Sequence, residues 1–505
     1  MVNKNLFTTA IIDGYSFNGN SIVLGSAMCD NEVVADAKVA IPLKTLNRHG
    51  LIAGATGTGK TKTIQVLSEQ LAALGIPVLM MDIKGDFSGI AKAGEEKDFI
   101  TERHSKIGIS FAPTCCSVEL LSLSEQNGVR LRATVSEFGP VLFSRILDLN
   151  DTQASVIAVI FKYADDSKMP LLDLKDIKKL LNYITNEGKD ELSAEYGKIS
   201  TATTGIILRK IVELEQQGAD LFFGETSFDV NDLLRLDEYG KGYINIVRLT
   251  DIQDKPKLFS TFMLSMLAEL YHQMPEIGDV EQPELVVFID EAHLVFNEAS
   301  KTLLNQIETI IKLNRSKGIG IFFITQNPMD VPSAVLAQLG LKIQHALRAF
   351  TANDRQAIKQ TADNYPTSEF YNTEELLTSI GIGEALVTAL NEKGIPTPLA
   401  ATMLRAPESR MGILTEDEIA EINAKSKLVK KYATAVDSES AYEILTKKIE
   451  DAITQAEQNQ NEEVAQEKSS EPSTASVVGK SVLKVVTSAS FIRGAFGILM
   501  KMLKR

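Results

Sequence analysis

The stretch GATGTGKT, residues 54–61, decides the fold of this chain. It fits the pattern G-x-x-x-x-G-K-[ST], whose last two positions are Lys60 and Thr61. Such a phosphate loop needs a strand before it and a helix after it, because backbone N–H groups and the helix N-terminus then face one anion. The apolar run 51–53 predicts the strand, and apolar residues at helical spacing over 64–74 predict the helix. A glycine turn that binds nothing is the alternative, and both flanks weigh against it.

The phosphate loop defines the residues that we expect to bind nucleotide. The Lys60 ammonium is expected to reach the outer phosphates, and the Thr61 hydroxyl is expected to bind Mg²⁺. The predicted nucleotide-binding residues are Gly54, Ala55, Thr56, Gly57, Thr58, Gly59, Lys60, Thr61 and Thr63.

The segment LVVFIDE, residues 285–291, supplies the carboxylates that hydrolysis requires. Its apolar run predicts a strand buried on both faces, and such a strand delivers its last residues to the carboxyl edge of a parallel sheet, where ligands bind. Asp290 is expected to order the Mg²⁺ shell, and Glu291 to polarise the attacking water as general base. The alternative is that these two acidic residues have no role in hydrolysis. His293 is interpreted as a hydrogen-bonding neighbour rather than a metal ligand.

Two further residues complete the predicted catalytic set. The segment IGIFFITQ, residues 319–326, predicts another buried strand, and we interpret Gln326 at its end as a sensor that contacts the γ-phosphate and the lytic water. Strand capping is the alternative for this glutamine. Arg315 is the candidate arginine finger, since a guanidinium from a neighbouring subunit would stabilise charge on the transferred phosphoryl group. A solvated surface arginine is the alternative there, and Arg348 and Arg355 are the other finger candidates.

Missing motifs narrow the choice of nucleotide. No NKxD tetrapeptide, which reads guanine, follows the core, and no LSGGQ-like transporter signature is present. The tetrad DEAH at 290–293 is also found in a large helicase superfamily, but no Q-x-x-G-R-x-x-R motif follows it here. ATP with Mg²⁺ is therefore the expected pair.

Composition is that of an ordinary globular protein. The 505 residues are 44% hydrophobic and 23% charged, which allows about three domains with a large core. The cysteines, Cys29, Cys115 and Cys116, have the spacing of neither a disulfide framework nor a metal site. No secretory h-region opens the sequence, and no apolar stretch reaches the roughly 18 residues of a membrane span. We therefore expect a cytoplasmic protein without stable membrane insertion.

Charge is distributed unevenly along the chain. The net charge of −14 opposes a surface that binds nucleic acid throughout, so DNA is a candidate partner only through a local basic lining. The C-terminal tail is instead basic and amphipathic, which suits an anionic membrane, DNA or docking on a neighbouring subunit. We favour docking of the tail on a neighbouring subunit. The apolar face of the tail is marked by Ile492, Phe496, Leu499 and Leu503.

The spacing of apolar residues changes along the chain. It predicts an α/β core with a largely parallel sheet flanked by helices, and an all-helical insertion that interrupts this core. Alternation in FTTAIIDG, residues 7–14, predicts a strand near the N-terminus. A segment rich in Gln, Glu, Ser and Asn predicts a linker because it has little to bury. The predicted parts are a short N-terminal β element (1–47), the first part of the core (48–137), the helical insertion (138–238), the second part of the core (239–407), C-terminal helices (408–454), a disordered linker (455–480) and a basic amphipathic tail (481–505).

Together these motifs resemble the HerA/FtsK group of ring-forming ATPases, and more closely its YjgR-type branch, the helicase HerA-like C-terminal domain family. The resemblance implies a RecA-like P-loop NTPase core, a homo-oligomer that is a hexamer, ATP hydrolysis at subunit interfaces, and motion along duplex DNA through a central pore. About 46 residues precede the core here, where HerA relatives carry a full β-barrel. The stretches that carry the resemblance are NRHGLIAGATGTGKT (47–61), MDIKGDFSGIA (81–91), FIDEAHLVF (288–296), ITQNP (324–328), QHALRAFTANDRQAI (344–358) and ESAYEIL (439–445).

The sequence therefore predicts an ATP-driven, oligomeric motor that acts on DNA. A secretion or conjugation coupling ATPase is the second hypothesis, disfavoured by the missing membrane spans. A nucleotide-switched scaffold that moves nothing is the third.

Overall fold

A computed structural model describes residues 3–124, 126–278, 280–296, 301–434, 436 and 438–469. Its strands are β1 Ser21–Cys29, β2 Glu32–Pro42, β3 Gly50–Ala53, β4 Val78–Asp82, β5 Val118–Ser122, β6 Val129–Arg130, β7 Ile244–Arg248, β8 Leu285–Ile289, β9 Ile319–Thr325, β10 Leu341–Gln344, β11 Glu384–Thr388 and β12 Ala400–Leu404. Within these ranges the strands form one sheet in the order β2-β1-β12-β11-β10-β3-β9-β8-β4-β7-β5-β6.

Helices connect these strands and cover the sheet. They are α1 Lys4–Gly14, α2 Lys60–Ala73, α3 Asp98–Ile107, α4 Val135–Ile146, α5 Asp151–Asp166, α6 Leu174–Thr185, α7 Lys189–Glu195, α8 Thr201–Gln216, α9 Pro256–Gln273, α10 His293–Phe296, α11 Lys301–Asn314, α12 Ser333–Leu336, α13 Ala352–Asp363, α14 Thr373–Ser379, α15 Glu416–Lys425, α16 Lys427–Tyr432 and α17 Ala441–Ser469. Helices α4 to α8 form the predicted helical insertion. None of the helices in the described ranges is long and apolar enough to cross a bilayer.

The sheet has a parallel part and an antiparallel part. Every pairing from β10 through β3, β9, β8, β4, β7 and β5 to β6 is parallel. The strands β11, β12, β1 and β2 extend it with antiparallel pairings. The predicted α/β class with a largely parallel sheet and a helical insertion is confirmed.

Two apolar layers bury the parallel strands on both faces. Along β8, Val287 and Ile289 pack into one layer, whereas Val286 and Phe288 pack into the other. Alternate side chains of a strand point to opposite faces, which explains why central strands read as continuous apolar runs. The helical insertion adds its own apolar side chains to the first of these layers.

The N-terminal region differs from the prediction. Residues 7–14 lie in α1, not in a strand, because the Asn3 side chain accepts the N–H groups of Asn5 and Leu6 and so starts a helix. Phe7 and Ile11, four positions apart, then face the core. The strands that follow do not form a separate element, since β1 pairs with β12 of the main sheet.

The C-terminal region also differs from the prediction. Residues 455–469, predicted as part of a disordered linker, are helical because α17 continues through them. Gln, Glu and Ala are good helix formers, so a polar composition does not by itself prevent a helix. The rest of the predicted linker and the predicted tail 481–505 lie outside the described residues.

The ESAYEIL stretch, residues 439–445, docks the C-terminal helix on the insertion. Asp176 of α6 has 1% of its surface exposed, and its Oδ1 accepts the Ser440 hydroxyl at 2.5 Å and the Tyr442 N–H at 2.8 Å. Further along, Lys448 of α17 pairs with Glu191 at 3.0 Å. These contacts join the insertion and α17 into one packed unit.

Candidate nucleotide site

The phosphate loop, residues 54–61, lies at the carboxyl edge of the parallel sheet, directly after β3. Two backbone hydrogen bonds hold it from opposite sides. The Gly54 N–H donates to the Thr325 carbonyl at 3.2 Å, and the Ala55 N–H donates to the Ala346 carbonyl at 2.9 Å. The ends of β9 and β10 therefore fix where the loop begins.

Glycines allow the loop to take its shape. Gly54 has a φ of 150°, and a Cβ at this position would lie 2.5 Å from the His345 Cβ, so a larger residue does not fit. Gly59 has a φ of 114°, and α2 begins at the next residue, Lys60. The strand and the helix predicted on the two flanks are both present.

The Lys60 side chain lies across its own loop. Its ammonium donates to the carbonyls of Gly54 at 2.5 Å and Ala55 at 3.1 Å. Burial lowers the pKa of Lys60 and the charge of Lys84 lowers it further, whereas nearby carboxylates, led by Glu291, oppose this shift. The ammonium therefore lies within the phosphate loop, and its binding of an outer phosphate stays a prediction.

Thr63 lies one turn into α2, and its side chain is buried. Its hydroxyl is 2.9 Å from the Nε2 atom of His345 and also donates to the Gly59 carbonyl at 3.2 Å. These contacts brace the loop from the protein interior. Direct nucleotide binding by Thr63 stays a prediction.

Asp290 and Glu291 follow β8 at the same edge of the sheet. The register pairs Ile289 with Phe323 of β9, so the two acids lie beside the end of the strand that carries the sensor candidate. Each acid has only 6% of its surface exposed. Burial raises the pKa of Asp290 to about 6, although the charge of Lys84 opposes the shift.

The Glu291 side chain lies close to three other polar side chains of the site. Its Oε1 pairs with the Lys84 ammonium and accepts the Gln326 amide at 3.4 Å. Its Oε2 lies 3.0 Å from the Nδ1 atom of His293. Burial alone would raise the pKa of Glu291, but the hydrogen bond and charge of Lys84, with His293 and Gln326, lower it.

Gln326 connects the acid to the phosphate loop. Its amide donates to Glu291, and its Oε1 accepts the Thr56 hydroxyl at 3.4 Å. The glutamine thus lies between the loop and the candidate base, as a sensor of a terminal phosphate would. Its role as a sensor stays a prediction.

The turn after β4 contributes a part of the site that the sequence reasoning missed. Asp82 Oδ1 accepts the N–H groups of Gly85 at 2.7 Å and Asp86 at 3.2 Å, which fixes the turn. The turn directs Lys84 to Glu291. A signal was available, because the apolar run 78–81 predicts a buried strand, and the end of that strand should reach the same edge of the sheet.

The oxygens near Thr61 suit Mg²⁺, which is usually bound through one or two protein groups together with phosphates. Thr61 Oγ1 donates to Asp86 Oδ2 at 3.1 Å, and the buried Asp86 Oδ1 has no hydrogen-bond partner within the described residues. Asp290 supplies another carboxylate at this edge. In the described ranges, no three His, Cys, Asp or Glu side chains form a preformed metal cage. The donor set fits a metal that arrives with a nucleotide.

The three candidate finger arginines lie in different places. Arg315 is exposed in a short turn between α11 and β9, at the amino edge of the sheet and opposite the phosphate loop of its own chain. Arg348 follows β10 on the same side as that loop, and Arg355 lies in α13. Arg315 thus lies away from the phosphate loop of its own chain, and its role as an arginine finger stays a prediction.

Curated relatives are similar at low identity. The DNA double-strand break repair helicase HerA of Sulfolobus acidocaldarius is 22% identical over 392 residues, which are 75% of this chain and 69% of HerA. The DNA import protein CedB of the same organism is 24% identical over 359 residues, which are 70% of this chain and 52% of CedB.

Solved structures show the same fold. The bacterial conjugative coupling protein TrwBdeltaN70 superposes with a TM-score of 0.51 at 12% identity, covering 81% of this chain and 95% of that one. TrwB in complex with the ATP analogue ADPNP gives a TM-score of 0.50 at 14% identity, covering 79% of this chain and 100% of that one. The model of the helicase HerA-like C-terminal family matches residues 29–493, which is most of the sequence, and this chain therefore belongs to that family.

Proposed function

We propose that this chain hydrolyses ATP at the carboxyl edge of its sheet and uses the energy to move DNA. One observation supports this best: the phosphate loop, two buried acids and a bridging glutamine converge there. Gln326 is within 3.4 Å of both Thr56 and Glu291, although Thr56 and Gln326 are 270 positions apart in the sequence. A merely structural loop would not require this convergence.

Each residue has a definite task in the proposed reaction. Lys60 binds the outer phosphates, and Glu291 accepts the proton of the water that attacks the γ-phosphorus while the bond to ADP breaks. Gln326 orients that water. Thr61 and Asp290 would hold Mg²⁺, which supplies charge neutralisation on the phosphates.

Arg315 is proposed to act in a neighbouring subunit. An exposed guanidinium on the edge opposite its own phosphate loop fits a homo-oligomer in which the two edges meet, and a hexamer is the expected ring. Charge that develops on the phosphoryl group would then be stabilised from outside the chain.

DNA is the proposed substrate of the motion. The relatives are a repair helicase and a DNA import protein by name. Phosphate contacts dominate the binding of DNA to proteins. Because the net charge of the chain is −14, DNA would have to bind to a local basic surface of the protein. The second candidate is a coupling ATPase that feeds DNA to a membrane partner, which the similarity to CedB favours.

The test is the rate of ATP hydrolysis with and without duplex DNA, measured together with the particle mass. A DNA-stimulated rate in a closed oligomer is expected. A rate of ATP hydrolysis that is the same with and without DNA would favour the scaffold hypothesis. Absence of ATP hydrolysis by the wild-type oligomer would refute the proposal. Recovery of the chain with membranes, and its loss when a membrane partner is deleted, would favour the coupling ATPase.

A further inference from the structure

We propose that Lys84 is a positioning residue that holds Glu291 while no nucleotide is bound and transfers its ammonium to the terminal phosphate when ATP binds. The inference rests on the proposed function, because it adds control by the nucleotide to the same site. Its consequence is that Glu291 is released to meet water only when a third phosphate is present.

The contacts of Glu291 support this inference. Its Oε1 is taken by the Lys84 ammonium and the Gln326 amide, and its Oε2 faces His293. Oε1 already carries two donors, whereas Oε2 is buried from solvent and has no hydrogen-bond partner within the described residues. A water that approaches from the solvent side can therefore be received at Oε1 only after one of its two partners has left.

Lys84 is the partner best suited to leave. Its side chain is 39% exposed, whereas that of Glu291 is only 8% exposed, so the lysine reaches the buried acid from the solvent side. The backbone beneath it is fixed, because Asp82 accepts the N–H groups of Gly85 and Asp86. Movement is thus confined to the flexible lysine side chain, which costs no rearrangement of the sheet.

A terminal phosphate is the ligand chemistry that would attract Lys84. The Lys60 ammonium lies across the adjacent loop and interacts with the charge of Lys84. Two cations that repel each other at one corner of the site are both satisfied by a polyanion. ADP lacks the third phosphate, so the pair between Lys84 and Glu291 should persist with ADP and open with ATP.

The experiment compares wild-type protein with Lys84→Met, which keeps the length of the side chain and removes the charge. Lys84→Arg tests rescue, and Lys92→Met is the matched control, since Lys92 is 35% exposed and pairs with Glu421 away from the loop. Binding of fluorescent ATP and ADP analogues is measured with Mg²⁺, alongside turnover and the melting temperature without nucleotide.

We expect Lys84→Met to weaken ATP binding by about tenfold, ADP binding by less than about twofold, and to reduce turnover, with recovery in Lys84→Arg. Unchanged preference for ATP over ADP, or an equal loss for both nucleotides, would overturn the inference by reducing Lys84 to a structural residue. Without nucleotide, the melting-temperature losses of Lys84→Met and Glu291→Gln should be less than additive in the double variant, and strict additivity would also overturn it. Wild-type protein that binds no ATP would be a different result, because the proposed function itself would then fail.

Discussion

His49 is a buried histidine that should make the chain lose stability in mild acid. Its Nε2 lies 2.9 Å from the Ile311 carbonyl, and its Nδ1 accepts the Ile321 N–H at 3.1 Å. A ring that accepts a backbone hydrogen bond at Nδ1 is neutral, and a second proton there would face an N–H donor. Burial lowers the pKa of His49 to about 4, although the Ile311 carbonyl opposes the shift.

The size of the effect follows from the difference between the two pKa values. Below the ordinary pKa of 6.5, His49 is protonated in the unfolded chain. In the folded chain it stays neutral until the pH falls to about 4. The contribution of His49 to the free energy of unfolding is therefore fully present above pH 6.5 and is lost as the pH falls through that interval. At pH 5.0 protonation of this ring favours the unfolded state over the folded state by a factor of about 30, which is about 2 kcal/mol.

Urea unfolding at pH 7.5 and pH 5.0 measures this loss. His49→Asn is the informative variant, because the asparagine side-chain oxygen can accept the Ile321 N–H without titrating. Between the two pH values the variant should lose about 2 kcal/mol less than wild type. The exposed His272 provides a control, since His272→Asn should leave the pH dependence unchanged. Equal losses in wild type and His49→Asn would refute the reasoning.

The active-site predictions can be measured on one set of purified variants. Lys60→Ala should abolish nucleotide binding or hydrolysis, because it removes the ammonium that lies across the loop; titration with a fluorescent ATP analogue checks this. Glu291→Gln should still bind ATP while turnover falls by about 10²- to 10⁴-fold, and normal turnover would exclude Glu291 as the base. Arg315→Ala should be inactive alone but regain activity when mixed with Glu291→Gln subunits, which retain the finger; inactive mixtures would make Arg315 an ordinary surface residue.

The sequence predicted that the phosphate loop and the acidic pair meet at one edge of the sheet, because the decisive information is local. The loop at 54–61 and the acidic pair at 290–291 each follow a short apolar run, and buried parallel strands bring such ends to one edge. The position of the turn after β4 was open to the same reasoning, but the contact between Lys84 and Glu291 was not. It depends on how far one long side chain reaches between strands that are distant in the sequence.

The ends of the chain were predicted less well for two physical reasons. Apolar and polar residues alternate weakly over residues 7–14, which suggests a strand. The N-cap Asn3 lies outside that stretch and starts a helix instead. The pairing of β1 with β12 joins segments near opposite ends of the core, and no local pattern encodes which distant strand will be the neighbour.

The docking of Ser440 and Tyr442 on Asp176 sets a limit on how the chain can be shortened. A truncation before residue 440 would strip a carboxylate that is 1% exposed of two donors, at a cost of about 1–3 kcal/mol for each lost partner. The damage would appear in the insertion, far along the sequence from the cut. A shortened chain should therefore end beyond Lys448. It would then keep the contacts that stabilise the insertion, and any change in its behaviour could be assigned to the removed residues.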